Sequence, residues 1–261
     1  MKHVLKIAQI SDTHLFADKN TLHYGANVYQ HLVNVLIHIQ GVEKPDVILF
    51  TGDLTQDHTD ASYHQFVEIF QQLDIQIPVH FIAGNHDEHR QLDQYLTNKP
   101  FNSSKIITNN TWQILLINSK SETPSGYVSE GTLNELSKNI DPEKKQLVFM
   151  HHHPIDVGYF IDKHGLKNKA EFWSTIQQFP SIQTIACGHV HNDLSIQPEQ
   201  SGYNIPLYTC PATSIQFDQT ANTSACNGKG AGYRVFELDN DGTYITRTHF
   251  VSDLAKGNHD E

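Results

Sequence analysis

The chain has 261 residues and a mass of 29.6 kDa, with 38% hydrophobic and 18% charged residues and a formal charge of −11. This composition is typical of a globular protein with a substantial core, as one large α/β domain or two small ones. The acidic balance, without a basic stripe, excludes nonspecific nucleic-acid binding but allows a small phosphorylated substrate, because bound cations would dominate the field of the site.

The first half of the chain alternates strand-like and helix-like segments. Short apolar runs predict strands at Val4–Ile10, Val47–Phe50 and Val79–Ala83. Apolar residues at helical spacing predict helices at Tyr29–Gln40, Ala61–Leu73 and Glu88–Leu96, the first of them ending at Gly41. This β-α-β-α-β-α order implies right-handed crossovers and a mainly parallel sheet.

The second half is richer in strands. Strands are predicted at Ile106–Thr108, Trp112–Ile117, Leu147–Met150, Ile182–Ala186, Leu194–Ile196, Ile205–Thr209, Tyr233–Leu238 and Thr243–Phe250, and helices at Thr132–Asn139 and Asn168–Phe179. About a dozen strands exceed one comfortable open sheet, so we expect an α/β fold of two packed sheets with helices outside. We expect one domain over residues 1–252 and a polar tail over 253–261.

The cysteines and the apolar runs indicate the compartment. Cys187, Cys210 and Cys226 form no CxxC pair and no even framework, which favours reduced thiols. The segment MKHVLKIAQIS is too short and too polar for a secretory signal, and no run approaches eighteen apolar residues. We therefore expect a cytoplasmic protein without a membrane partner.

Seven candidate metal ligands follow the ends of five predicted strands. They are Asp12, His14, Asp53, Asn85, His151, His189 and His191. Any single Asp-x-His or Gly-Asp pair is more often a surface turn, but the carboxyl ends of parallel strands meet at one edge of a sheet. Two carboxylates, one amide oxygen and four imidazoles are enough to hold two divalent cations, which together promote displacement at phosphorus.

Two of these motifs contain polar residues in addition to the proposed metal ligand. In Gly84-Asn85-His86-Asp87, Asn85 offers an oxygen, His86 stays free, and Asp87 is expected to orient His86 through its other ring nitrogen. The same four letters at positions 257–260 follow no strand, and we interpret them as a coincidence. Three consecutive histidines begin at His151; His151 is the preferred ligand because it directly follows the strand, and His152 is the alternative.

The ordered set resembles the calcineurin-like metallophosphoesterase superfamily over about residues 4–250. Longer phrases are similar to the bacterial class III 3′,5′-cyclic-AMP phosphodiesterases: SDTHLFA, TGDLTQD, WQILLINS, HHHP, CGHVH, PATSIQF and Gly232-Tyr233-Arg234. The resemblance implies a four-layer αββα sandwich, in which two mixed sheets are flanked by helices, as in other metallo-dependent phosphatases.

The resemblance also implies a role for each site residue. Asp12, His14 and His191 would hold one metal, Asn85, His151 and His189 the other, and Asp53 would bridge them. The implied reaction is hydrolysis of 3′,5′-cyclic AMP to 5′-AMP by a metal-bridging hydroxide. Asn85, His86 and Asp87 would be catalytic, with His86 protonating the leaving alkoxide, and His14, Asn85, His86 and His191 would contact the substrate. Fe, Mn, Zn or Co suit these ligands.

Two alternatives stay open from the residues alone. The substrate could be another small phosphodiester, such as a 2′,3′-cyclic nucleotide, a glycerophosphodiester or a lipid headgroup ester. The fold could also serve as a non-catalytic scaffold, which the complete ligand set disfavours. Four loop aromatics, His23, Tyr24, Tyr127 and Tyr159, could stack on a base, although for any single one of them an ordinary packed or surface aromatic is the more common explanation.

Overall fold

A computed structural model describes residues 4–251 of the chain. The strands in this range are β1 (Leu5–Ile10), β2 (Leu22–His23), β3 (Ala26–Asn27), β4 (Val47–Phe50), β5 (Val79–Phe81), β6 (Phe101–Asn102), β7 (Ile106–Thr108), β8 (Trp112–Leu116), β9 (Lys145–Met150), β10 (Ile182–Cys187), β11 (Ser195–Ile196), β12 (Leu207–Thr209), β13 (Ala231–Leu238) and β14 (Tyr244–Val251). The helices are α1 (Val28–His38), α2 (Asp60–Gln72), α3 (His89–Tyr95), α4 (Glu130–Asn139), α5 (Lys169–Ile176) and α6 (Pro198–Ser201). A π-helical turn covers Ile39–Glu43, and a 3₁₀ turn covers Phe160–His164.

The strands form two six-stranded mixed sheets and one small hairpin. The first sheet has the order β14-β13-β1-β4-β5-β6, in which β1, β4, β5 and β6 run parallel to one another. The second has the order β11-β12-β10-β9-β8-β7, in which β12, β10, β9 and β8 run parallel. The two mixed sheets predicted above are confirmed, and β2 pairs with β3 alone.

Alternating side chains on the strands build three apolar layers. In β4, Val47 and Leu49 pack into the layer between the two sheets, whereas Ile48 and Phe50 pack outward beneath α1 and α2. In β9 the same alternation places Phe149 between the sheets and its neighbours beneath α4 and α5. The order of layers is helix, sheet, sheet, helix, which confirms the αββα sandwich.

The end of α1 differs from the prediction. The α-helix stops at His38, and the chain continues as the π-helical turn to Glu43 rather than ending at Gly41. The physical reason is the carboxylate of Glu43, which is only 6% exposed, accepts a hydrogen bond from Arg247 at 2.7 Å and lies 3.0 Å from Nε2 of His249. These contacts hold the end of the helix against β14.

Several short elements were not predicted, among them the β2–β3 hairpin, β6 and the 3₁₀ turn. Elsewhere the predicted bounds hold to within a few residues. The tail at 253–261, with its second Gly-Asn-His-Asp sequence, lies outside the described residues. Among residues 4–251, no helix has both the length and the apolar character needed to cross a membrane.

Candidate metal centre

The structure brings together the seven side chains that the sequence analysis selected. One group combines Asp12, His14 and His191, which follow β1 and β10. The Nε2 atoms of His14 and His191 lie 3.1 Å apart, and Nε2 of His191 lies 3.3 Å from an oxygen of Asp12. All three residues are at most 4% exposed. This group presents two imidazole nitrogens and one carboxylate to a common point.

The second group combines Asn85, His151 and His189, which follow β5, β9 and β10. Nε2 of His151 lies 3.1 Å from the amide oxygen of Asn85 and 3.2 Å from Nδ1 of His189. These distances equal those between neighbouring ligands of one ion, because ligands about 2.0–2.2 Å from a cation lie roughly 3 Å from one another.

The carboxylate of Asp53 lies between the two groups. Its Oδ2 atom is 3.7 Å from Nε2 of His14 in the first group and 3.4 Å from Nε2 of His151 in the second. Its Oδ1 atom accepts a hydrogen bond of 2.9 Å from the backbone N–H of His86, which fixes the carboxylate plane. One oxygen is therefore placed where a ligand shared by two ions would stand.

Backbone carbonyls determine which nitrogen of three histidines is free to bind a metal. The hydrogen bonds run from Nδ1 of His151 to Thr51 O (2.7 Å), from Nε2 of His189 to His164 O (3.2 Å) and from Nδ1 of His191 to Ile215 O (2.9 Å). The opposite ring nitrogens consequently carry lone pairs and face other acceptors in the centre. Acceptors that face one another at about 3 Å need a positive charge between them, so the donor set fits a pair of cations.

The carboxylate of Asp53 attracts positive charge into the centre, either as a proton on His151 or as a bound cation that takes its place. Burial lowers the pKa of His151, but the Asp53 carboxylate outweighs burial and raises it to about 9. Burial likewise raises the pKa of Asp53, and the neighbouring His151 and His86 outweigh it and hold that pKa well below its usual range. Burial keeps the pKa values of His14 and His189 low, so these imidazoles are neutral, as metal ligands must be.

Five of the seven residues adopt a left-handed backbone. Their φ angles are 58° for Asp12, 46° for His14, 58° for Asp53, 67° for His189 and 50° for His191. Non-glycine residues adopt this region rarely, at a cost of about 1–3 kcal/mol each, and such strain concentrates at functional sites. The surrounding contacts therefore hold these side chains in a geometry that the isolated loops would not choose.

The glycines of the three motifs allow the loops to approach one another. A Cβ on Gly52, which has φ +100°, would lie 2.3 Å from the backbone nitrogen of Gly84. A Cβ on Gly84 would lie 2.1 Å from Oδ1 of Asp53, and one on Gly188 would lie 2.0 Å from Oγ of Ser11. A side chain at Gly52 would push the two loops apart, and side chains at Gly84 and Gly188 would crowd the carboxylates of Asp53 and Asp12, so glycine is required by close contact.

The three consecutive histidines have different surroundings. His151 directs its free nitrogen into the second group. A nitrogen of His152 lies within 4.8 Å of that group, yet its Nδ1 is 2.9 Å from Oγ of Ser119 and its Nε2 is 3.2 Å from the carbonyl of Pro124. His153 pairs with a carboxylate of the 3₁₀ turn, 3.1 Å away. Because both nitrogens of His152 are occupied, the geometry favours His151 as the candidate ligand.

The structure corrects the contact expected for Asp87. Its Oδ2 accepts from the backbone N–H groups of Asp53 (2.7 Å) and Gly84 (2.8 Å), and its Oδ1 accepts from Leu54 (2.8 Å). Burial and the charge of Asp53 raise the pKa of Asp87 to about 6. Asp87 therefore binds the loops after β4 and β5 to each other instead of orienting the ring of His86. Three backbone N–H groups occupy its carboxylate oxygens in place of the His86 ring.

His86 lies beside the centre: one of its ring nitrogens is within 4.8 Å of donor atoms of His14 and Asp53, but it belongs to neither group of three. Its ring stacks on His58 with centroids 5.4 Å apart and meets the ring of His14 edge-on at 4.9 Å. Its Nδ1 is buried and has no hydrogen-bond partner within residues 4–251. The ring is therefore held by stacking contacts rather than by a hydrogen bond at Nδ1.

A cavity of about 300 Å³ opens onto the centre. Five candidate site residues line it, and the rest of the lining is His23, Tyr24, Gln56, Pro124, Phe160, Ile161, His164, Phe217 and Ser224. Of the four aromatics considered for base stacking, His23 and Tyr24 line this cavity, whereas Tyr127 and Tyr159 do not. Cavities of about 340 and 520 Å³ elsewhere share none of these residues.

Sequence reasoning missed Phe160 and Phe217 in this lining. The ring of Phe217 stacks on that of His191 with centroids 4.0 Å apart and an angle of 6°. It ends the phrase PATSIQF, whose buried Gln216 closes the segment through hydrogen bonds to both backbone groups of Ala212. The segment PATSIQF was the sequence feature that could have identified Phe217. Its compact loop places the carbonyl of Ile215 and the ring of Phe217 against His191.

Comparisons with known proteins agree with this geometry. A protein of Colwellia psychrerythraea named as a probable cyclic nucleotide phosphodiesterase is 50% identical over 245 residues, 93% of each chain. The 3′,5′-cyclic adenosine monophosphate phosphodiesterase of Escherichia coli K12 is 32% identical, over 95% of this chain and 90% of its own. A dimetal phosphatase structure from Danio rerio shares the fold, with a TM-score of 0.62 at 13% identity, over 95% of this chain and 99% of its own. The sequence profile of the calcineurin-like phosphoesterases matches residues 5–193, and the chain belongs to this family.

Proposed function

We propose that this chain is a dimetal phosphodiesterase that hydrolyses 3′,5′-cyclic AMP to 5′-AMP. The observation that carries the proposal is the position of Asp53 Oδ2 between two groups of nitrogen and oxygen donors. The names of the relatives support the cyclic nucleotide as the substrate. The complete donor set disfavours the alternative of a non-catalytic scaffold.

The proposed ligands divide as the resemblance implies. Asp12, His14 and His191 hold one ion, Asn85, His151 and His189 hold the other, and Asp53 is shared. When bound, two such ions activate water and polarise a phosphoryl oxygen. The mixture of imidazole, carboxylate and amide favours Fe, Mn, Zn or Co over Ca or Mg.

The side chains around the ions have proposed roles in the reaction. Water adds to phosphorus, the bond from phosphorus to the ribose 3′ oxygen breaks, and that oxygen takes up a proton. His86 is the proposed donor of this proton, because a ring nitrogen of His86 lies within 4.8 Å of donor atoms of His14 and Asp53 and its Nδ1 is unpartnered within residues 4–251. His14, Asn85 and His191 border the cavity and would contact the phosphate. Asp87 acts as a positioning residue for Asp53 and Asn85.

The cavity supports a diester of small size. Its lining contains neither lysine nor arginine, so outside the ions it offers no fixed positive charge for the second charge of a phosphomonoester. A diester carries one negative charge. A volume of about 300 Å³ lies at the lower end of small-molecule sites, which favours a mononucleotide over a lipid headgroup with its chains.

The proposal also includes the organisation and location of the protein. One domain over residues 1–252 is supported by the apolar layer that both sheets share. A cytoplasmic location, with neither nucleic acid nor membrane as partner, is supported by the charge and by free thiols at Cys187, Cys210 and Cys226.

The test is a set of rates on purified protein that has been stripped with a chelator and reloaded with Mn, Fe or Zn. The substrates are 3′,5′-cAMP, 3′,5′-cGMP, 2′,3′-cAMP and a glycerophosphodiester. We expect reloading to restore hydrolysis, with 3′,5′-cAMP the best substrate and 5′-AMP the product. If 3′,5′-cAMP ranks last, the substrate is wrong. Hydrolysis that is indifferent to the chelator contradicts the metal centre, and no turnover with any metal indicates a scaffold.

A further inference from the structure

The hairpin β2–β3 carries an aromatic side chain in a strained position at the mouth of the cavity. Its two turn residues, Tyr24 and Gly25, have φ angles of 49° and 82°. Turns with two positive φ angles normally take Asn, Asp or Gly at the first position, because larger side chains are strained there. Tyr24 occupies that position and is 50% exposed. Neither burial nor turn preference explains a tyrosine at this point.

The hairpin is connected across the cavity to a distant part of the chain. The hydroxyl of Tyr24 lies 2.5 Å from Oγ of Ser224, and both residues line the cavity. Beside it, the ring of His23 lies parallel to that of His14 at 5.6 Å and meets Tyr24 edge-on at 4.8 Å. The hairpin therefore forms one aromatic wall, which begins at the metal centre and ends at this hydrogen bond.

A second aromatic wall belongs to the other half of the molecule. Phe217 stacks on His191, and Phe160 meets Phe217 edge-on with centroids 4.8 Å apart. Ile161 and Pro124 complete the apolar lining. Among residues 4–251, no aspartate, glutamate, lysine or arginine lines this cavity, so its walls suit an uncharged ligand group.

We propose that His23 and Tyr24 on one wall and Phe160 and Phe217 on the other form a nucleobase subsite, closed at its mouth by the hydrogen bond between Tyr24 and Ser224. This inference rests on the proposed function. A nucleobase is flat and uncharged and stacks on aromatic faces. The glycerol or amine of other small phosphodiesters has no flat face to offer these walls.

The test compares two substrates that share the same cyclic ester and differ only in the base. They are 3′,5′-cAMP and the 3′,5′-cyclic phosphate of 1-deoxyribose, which keeps the 2′-hydroxyl and has no base. We expect Tyr24→Ala and Phe160→Ala each to lower the ratio of kcat/KM for cAMP to kcat/KM for the base-free ester by roughly 5- to 100-fold, the range of one lost stacking contact. Tyr24→Phe should keep most of the ratio, because the ring remains.

Tyr127→Ala is the matched control, since Tyr127 is 48% exposed and does not line the cavity. We expect it to keep the wild-type ratio. The subsite is overturned if the wild-type enzyme hydrolyses both esters equally well, or if Tyr24→Ala and Phe160→Ala keep the wild-type ratio. These results leave the proposed function intact. If the wild-type enzyme hydrolyses neither ester, the proposed function itself is contradicted.

Discussion

At the scale of single residues, His86 is distinguished from the seven proposed ligands because it lies beside His14 and Asp53 but belongs to neither group of three donors. Its ring borders His14 and His58, its backbone N–H holds Asp53, and its Nδ1 has no partner within residues 4–251. A histidine in this position can transfer a proton without losing a structural hydrogen bond. Its contribution should therefore depend on how much the leaving group needs a proton.

We predict that His86→Ala retains both metals and lowers turnover of alkoxide-leaving esters by roughly 10²–10⁴-fold. The loss on p-nitrophenyl esters should be much smaller, because p-nitrophenolate leaves without protonation. Steady-state rates on 3′,5′-cAMP and bis-p-nitrophenyl phosphate, together with metal analysis, measure both effects. Equal losses on the two esters would contradict proton donation and indicate a role in positioning the phosphate.

Residue roles differed in how far the sequence could predict them. The seven donors were found because each follows a strand, and parallel strands end at one edge. The contact of Asp87 was predicted wrongly, because a short motif suggests a neighbour as the partner. Its partners include Asp53 and Leu54, more than thirty positions earlier in the chain. The hydrogen bond between His152 and the carbonyl of Pro124 could not be predicted for the same reason, since the two residues are 28 positions apart.

At the scale of elements, the loops after β1, β4, β5 and β10 work as one unit because glycines allow them to touch. The backbone of Asp12 donates to Gly52 O at 2.8 Å, and that of Leu15 donates to Leu54 O at 2.8 Å, so two loops run side by side beyond their strands. Gly84 lies where the loop after β5 meets Asp53. A methyl group there would occupy the space of the carboxylate.

We predict that Gly84→Ala displaces Asp53 and lowers activity at least about 100-fold, since a shift near 1 Å at a catalytic group has an effect of that size. Bound metal should fall below two ions per chain, as measured by elemental analysis. Gly41→Ala is the control, because a Cβ there meets nothing within 4 Å. A Gly84→Ala protein with two metals and full activity would show that the loop can move aside.

Long elements were easier to predict than short ones. The helices and the core strands of both sheets contain enough periodic residues to be recognised. The hairpin β2–β3 and strand β6 consist of two-residue strands, which are too short to show a period. The π-helical turn after α1 depends on Glu43 meeting Arg247 from β14, a contact between distant segments that local sequence does not contain.

At the scale of the whole molecule, the centre exists only where the two sheets meet. The first sheet supplies Asp12, His14, Asp53 and Asn85, and the second supplies His151, His189 and His191. Each group of donors includes residues from both sheets. The sequence predicted two sheets but not their strand order, since β13 and β14 return from the end of the chain to pair beside β1. The local sequence pattern of β13 and β14 does not specify that these strands pair beside β1.

This division of ligands predicts that metal binding stabilises the entire fold. Each ion that binds only the folded chain at 1,000 times its dissociation constant adds about 4 kcal/mol to the free energy of unfolding, so two such ions add about 8 kcal/mol. For a protein of this size that corresponds to a rise in Tm of about 16–32 °C. Calorimetry with and without chelator should show one cooperative transition that shifts by this amount, because releasing either sheet destroys both groups of donors. Asp53→Asn, which weakens the shared ligand, should reduce the shift. Two separate transitions would mean that the two sheets unfold independently. A Tm that does not change with chelator would mean that no ion stabilises the fold.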